Sequence, residues 1–204
     1  MKDLTDSAEA RYLFKTLLHT FRSLLTYTRQ GDQPSPQPDG EMLGKFFQYS
    51  LRCLAIFEGH RDPREPKEVI ELLSQILLQF EPHVFSEVWS NNMDFFLDQS
   101  LANPQVFPVL QMLITHESVS HQLVGILLKY LMTHLSEVGE FDKARASLTL
   151  RLYKMSFLAI NTYIATNETV LVPHLQKLIM NSFAHAAKAE DPMIYYQILR
   201  ALFR

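Results

Sequence analysis

The sequence predicts an all-α fold, an α-solenoid of antiparallel helical hairpins of the HEAT or TPR kind with about nine or ten helices. Three observations carry this. Apolar residues recur at helical spacing along almost the whole chain, and no stretch alternates as a half-buried strand does. The 10 prolines and 6 glycines leave room for little but short connections between helices. The longest helical stretch is apolar on two faces, which calls for packing from two sides. A closed bundle is the competing arrangement, but a hairpin partner and a neighbouring repeat supply those two sides more naturally. The period is not clean, so the repeats are expected to be degenerate.

The first helix is predicted over 7–27, with Asp6 and Glu9 as a start signal close to a capping box. Leu13, Phe14, Leu17, Leu18, Phe21, Leu24 and Leu25 share one arc, and Lys15, His19, Arg22 and Ser23 are expected to face away from it. RQGDQPSPQPDG, residues 29–40, has three prolines and no apolar anchor and reads as a flexible surface loop. A helix over 41–57 carries Leu43, Phe46, Phe47, Leu51 and Leu54. GHRDPREP, residues 59–66, breaks the chain again. A helix over 67–80 ends near Pro82, and 83–103 reads as two short helices or one bent one. Asn103-Pro104 caps a short helix to about 115, and Ser118 opens another that ends near Gly139.

The stretch 142–165 is the two-faced helix. Ala144, Leu148, Leu152, Met155 and Ala159 form one arc; Leu150, Tyr153, Phe157, Ile160 and Ile164 form a second, with Thr149 and Ser156 between them. Lys143, Ser147, Arg151, Lys154 and Asn161 fill a polar strip. Asn167 is expected to cap a helix over 168–188, with Pro173 near its first turn. The last stretch, DPMIYYQILRALFR, starts with Asp191 as cap and Pro192 at the first helical position. Its apolar residues cover more than half the circumference, leaving Gln197, Arg200 and Arg204 as a polar stripe. Such a helix expects neighbours on more than one side. The whole of 1–204 is therefore expected to be a single helical-repeat segment of a larger protein. Tyr195, Tyr196, Leu199, Leu202 and Phe203 are the candidate interface for continuing the solenoid.

Composition removes several function classes. A net charge of −3 is unlike the basic balance of a nucleic-acid binder, and no direct nucleic-acid contact is expected. The single cysteine, Cys53, allows no internal disulfide and reads as a buried, inert thiol beside Leu51 and Leu54. No targeting signal is visible, and the longest apolar run, 123–132, contains Gly125 and Lys129 and is too short to span a bilayer. No cofactor is expected, since no glycine-rich phosphate loop or H-E-x-x-H occurs. His116 and His121 are five apart at a predicted helix boundary and read as a polar turn, not as metal ligands. Asn167-Glu168-Thr169 has glycosylation spacing, but cap chemistry explains it better. Glu65, Glu68 and Glu71 read as the acid-rich, solvated start of a helix, not as catalytic carboxylates. With no catalytic constellation in view, the chain reads as an interaction module and not an enzyme. The basic strip Lys143, Arg151 and Lys154 is the candidate partner-binding surface.

The C-terminal third carries a resemblance as well. NETVLVPHLQK (167–177) and LRALFR (199–204) are similar to the TRRAP-type transcriptional-coactivator scaffolds, the transformation/transcription domain-associated proteins. Looser likeness extends to LKYLMTHLSEVG, LRLYKMSF and KEVIELL, whereas 29–40 and 59–66 have no clear counterpart. The resemblance implies a nuclear protein of HEAT- and TPR-like solenoid whose kinase-like domain, lacking catalytic residues, lies outside this chain. It implies histone acetyltransferase complexes such as SAGA, with neighbouring solenoid segments, coactivator subunits and acidic transcription activators as partners. The alternative is a HEAT segment of another large protein, such as a nuclear transport receptor or an active kinase of the same superfamily.

Overall fold

The computed structural model describes residues 2–30, 38–59 and 62–204, and among these every regular element is helical. The centres of the two predicted flexible loops, 31–37 and 60–61, lie outside the described residues. Backbone contacts divide the chain into two compact units, 1–112 and 113–204.

Unit 1 begins with α1 (Lys2–Gln30), longer at both ends than the periodicity predicts. The side chain of Asp6, and with it the predicted start signal, lies outside the described residues. Asp39 opens α2 (Gly40–Cys53) by accepting the Met42 amide at 2.7 Å, and the helix tightens into a 3-10 turn over Leu54–Phe57. α3 (Arg64–Leu77) and α4 (Pro82–Asn91) follow, the latter started by a proline in its first turn. Asn92 separates α4 from α5 (Met93–Ala102), which makes 83–103 two short helices. α6 (Phe107–Ile114) carries the chain onward.

The contacts in unit 1 form two ladders. Between α1 and α3, Arg11 meets Glu65 at 3.5 Å, Lys15 meets Glu68 at 2.5 Å, Arg22 donates to Gln75 at 2.8 Å and Thr26 to Gln79 at 3.3 Å. Both residue numbers rise together, so the helices are parallel and offset by 53 in three of the four pairs. α2 pairs with α4 and α5 in the same sense: Phe47 packs on Trp89 with ring centroids 4.9 Å apart, Gln48 donates to Asn92 at 2.6 Å, and Arg52 lies 5.2 Å from the Phe95 ring. α1 and α2 run antiparallel, since Phe14 meets Phe57 and Phe21 stacks on Phe46 at 4.3 Å. Unit 1 is thus the hairpin α1/α2 laid in register on the hairpin α3/α4. The fully buried Trp89, wedged among Phe47, Phe85 and Phe96, is its centre.

Unit 2 repeats this plan with α7 (Glu117–Thr133), α8 (Lys143–Thr162), α9 (Ile164–Ala186) and α10 (Met193–Leu202). α7 and α8 are antiparallel: the Tyr153 hydroxyl donates to the Leu131 carbonyl at 2.9 Å, while Ser120 and Ala159 meet around Asn167. α7 and α9 are parallel, through Tyr163 to Thr115, His121 to Thr166 and Asn167 to Ser120, at offsets of 48, 45 and 47.

Several expectations are corrected here. Lys15 and Arg22 do not face away from the packing surface; they bridge to α3, while Leu13, Leu17 and Leu24 are exposed. Glu65, half-buried, is held against Arg11 of α1, while Glu68 stays on the solvated face and pairs there with Lys15. Asn167 is not a cap: α9 starts at Ile164, and Asn167 is a fully buried interior residue. Pro173 accordingly lies inside α9, well beyond its first turn. Thr149 and Ser156 do not separate two buried arcs but are buried themselves, whereas Ala144 and Ile164 are exposed. Cys53 is half-buried rather than buried, and desolvation raises its thiol pKa, which favours the protonated form.

Candidate functional site

No group of three or more histidine, cysteine or acidic side chains among the described residues could hold a metal ion. His116 turns its Nδ1 to the Ser118 hydroxyl at 2.8 Å, and His121 turns its Nδ1 to the Thr166 carbonyl at 2.9 Å, so the two rings serve different contacts. Glu71 pairs with Lys67 at 3.8 Å on its own helix. The most displaced titration is that of Tyr153, whose hydroxyl is pushed far above the ordinary phenol range by burial, with Tyr195 adding to it. That hydroxyl is committed to the Leu131 carbonyl inside the hairpin, which is a packing role.

The predicted cationic strip lies on the exposed side of α8. Lys143, Arg151 and Lys154 are all exposed, and Asp142 starts the helix by accepting the Ala144 and Arg145 amides at 2.8 and 3.0 Å. The three do not share one recess. Lys154 lines a groove of about 580 Å³ between α8 and α10, and Lys143 and Arg151 do not. The groove is made by Lys154, Phe157, Leu158 and Asn161 from α8, by Gln197, Arg200 and Ala201 from α10, and by Arg204 just past its end. α8 contributes residues at i, i+3, i+4 and i+7 and α10 residues at i, i+3 and i+4, the strip that one face of a helix presents. Sequence reasoning saw the two halves separately, as the strip around Lys154 and as the polar stripe Gln197, Arg200, Arg204. Their juxtaposition depends on the α8–α10 pairing, which no local signal encodes.

The candidate continuation interface is divided by the fold. Tyr195 and Leu199 are buried, 1% and 6% exposed, while Tyr196 and Phe203 are 47% and 72% exposed and Leu202 is half-buried. Tyr195 fixes the hairpin end: its hydroxyl accepts the Gly139 amide at 3.1 Å and donates to the Ser136 carbonyl at 3.3 Å, and His185 stacks on its ring at 6.0 Å. A side chain at Gly139 would stand only 3.1 Å from that hydroxyl, so the glycine is what lets Tyr195 approach. Further exposed apolar side chains on the same hairpin escaped sequence reasoning: Met180 and Phe183 on α9, 63% and 54% exposed, and Met193 on α10, 55% exposed. The alternation of exposed and covered positions along α9 appears only once α7 is seen to occupy its other side.

The family described as the Tra1 HEAT repeat central region matches residues 2–204. A Saccharomyces cerevisiae protein named SAGA complex/NuA4 acetyltransferase complex subunit TRA1 is 30% identical over 199 residues, 97% of this chain and 5% of that protein. A Drosophila melanogaster protein named transcription-associated protein 1 is 31% identical over 141 residues, 69% of this chain and 4% of its own length. The human transformation/transcription domain-associated protein is 30% identical over 141 residues, again 69% of this chain and 4% of its own length. The chain thus spans about a twentieth of the length of the relatives it matches.

Proposed function

We propose, for a chain that belongs to the Tra1 HEAT repeat central-region family, that it works as one non-catalytic scaffold segment of a nuclear transcription coactivator subunit in histone acetyltransferase complexes of the SAGA type. The observation that carries this reading is the pair of hairpins stacked in register in unit 2, whose outer hairpin still exposes Met180, Phe183, Met193, Tyr196 and Phe203. Parallel stacking of α7 on α9 covers one side of the last hairpin, and the same contact repeated on its other side would bury that row of apolar side chains. The occupant is a neighbouring helical segment of the longer polypeptide. Tyr196, Leu202 and Phe203 from the predicted interface serve this role directly; Tyr195 and Leu199 serve it by holding α10 in place.

A test uses the full-length parent protein. Met180→Glu with Phe183→Glu should deplete the acetyltransferase subunits that copurify with it, while the isolated 204-residue chain keeps its helical content and melting temperature. Copurification at the unsubstituted level would contradict the scaffold role of this face.

The exposed strip Lys143, Arg151 and Lys154 supports a second function, docking of acidic transcription activators. Long-range attraction between an acidic segment and a row of cations speeds encounter and falls with salt. The triple reversal of these residues to Glu should weaken an acidic activation peptide in a fluorescence titration; unchanged affinity would remove the strip from the binding surface.

A further inference from the structure

We propose that the groove between α8 and α10 binds an acidic amphipathic helix supplied by another polypeptide, lying along the groove with its apolar face down. This deepens the docking reading above and rests on it, but moves the contact from the strip along α8 to a two-helix recess.

The floor and the walls differ in chemistry. Phe157 is buried at the base, Ala201 is small enough to let a partner backbone come close, and Leu158 is 64% exposed although it faces the recess. Lys154 stands on the α8 wall, Arg200 stands on the α10 wall, and Arg204 lines the recess just past the end of α10. These three cations have no ion-pair partner among the described residues, and no Asp or Glu lines the groove. In a chain of net charge −3 the recess is a local reversal of sign. Asn161 and Gln197 add one amide to each wall.

The shape selects a helix over an extended strand. The lining residues span i to i+7 on α8, about 10 Å of rise or two helical turns, and i to i+4 on α10, with Arg204 just past its end. There is no open sheet edge here for a strand to join, whereas ridges spaced at i, i+3 and i+4 form the groove into which another helix fits. A ligand helix with a narrow apolar stripe flanked by carboxylates would place acid on both walls at once.

The test is a fluorescence titration of the whole 204-residue chain with a designed helix-forming peptide of about 18 residues. Leucine or phenylalanine occupies i, i+3, i+4, i+7 and i+11, and glutamate flanks that stripe. A second peptide has the same composition in scrambled order. Lys154→Glu with Arg200→Glu should weaken the designed peptide at least about tenfold. Leu158→Asp should weaken it severalfold, and Lys143→Glu with Arg151→Glu should change it less than about twofold. All substituted positions are exposed, and circular dichroism of each variant checks that the fold persists; the bound peptide should gain helical signal. Three results would overturn the proposal: no binding, scrambled and designed peptides binding within about twofold of each other, or insensitivity to Lys154→Glu with Arg200→Glu. If Lys143→Glu with Arg151→Glu weakens binding while the groove variants do not, the strip survives as the docking surface and the groove is excluded.

Discussion

The side-chain amide of Asn167 is used up inside unit 2, donating to the Ser120 hydroxyl at 3.0 Å and the Ala159 carbonyl at 3.1 Å. One residue therefore ties α9 to both α7 and α8. Asn167→Leu would remove both bonds, leaving the buried Ser120 hydroxyl without this donor while the Ala159 carbonyl keeps the Tyr163 amide at 3.1 Å, at a cost of about 1–3 kcal/mol. Urea denaturation should show a lower midpoint with an unchanged slope. Gly139→Ala should also destabilise, by about 1–3 kcal/mol, because the new methyl meets the buried Tyr195 ring and hydroxyl. Tyr153 makes stability depend on pH at the alkaline end. Its folded-state pKa lies above the unfolded value of about 10. Below that value both states are protonated and the group adds no slope. Above it the unfolded chain releases the proton while the folded chain keeps it, so stability falls as pH rises. Urea midpoints taken between about pH 8 and pH 11 should fall across the upper half of that range, and more gently in Tyr153→Phe.

At the scale of elements, helix content was legible because periodicity is local, whereas register was not. The repeat is visible only as pairs such as Lys15 with Glu68 or His121 with Thr166, where single side chains meet across 53 and 45 residues. Offsets differ between the units, which blurs any fixed period in the sequence. Cap-type residues misled for a related reason: Asn167 has the chemistry of a helix start, but tertiary contacts with α7 and α8 claim it, and α9 begins earlier at Ile164. Lys15 and Arg22 look like a solvent face until α3 supplies partners for them. The cationic strip was readable along α8; the groove was not, since Arg200 comes from α10 and Arg204 from just past its end. The α1–α3 ladder is itself testable. Glu65→Lys with Glu68→Lys places like charges against Arg11 and Lys15, and should lower stability by about 0.5–2 kcal/mol for these partly exposed pairs, less at high salt. Adding Arg11→Glu and Lys15→Glu should restore most of the loss, which a double-mutant cycle would read as coupling.

At the scale of the whole molecule, the described residues supply hairpins and faces, and no group of three or more histidine, cysteine or acidic side chains among them could hold a metal ion. Its two units each place one hairpin on another in register, its family is the Tra1 HEAT repeat central region, and the yeast and human relatives it matches are far longer than itself. On this account the exposed apolar row on α9 and α10 is surface only in isolation. Met180→Glu with Phe183→Glu should therefore shift the melting temperature of the isolated chain by no more than a few degrees, as substitutions at uncovered positions do. The central claim is that a neighbouring helical segment covers this row. Hydroxyl-radical footprinting of Met180, Met193 and Tyr196 tests it most directly, comparing the isolated 204-residue chain with the full-length parent protein. The account predicts rapid oxidation at all three positions in the isolated chain and strong protection in the parent; equal oxidation in both would contradict it.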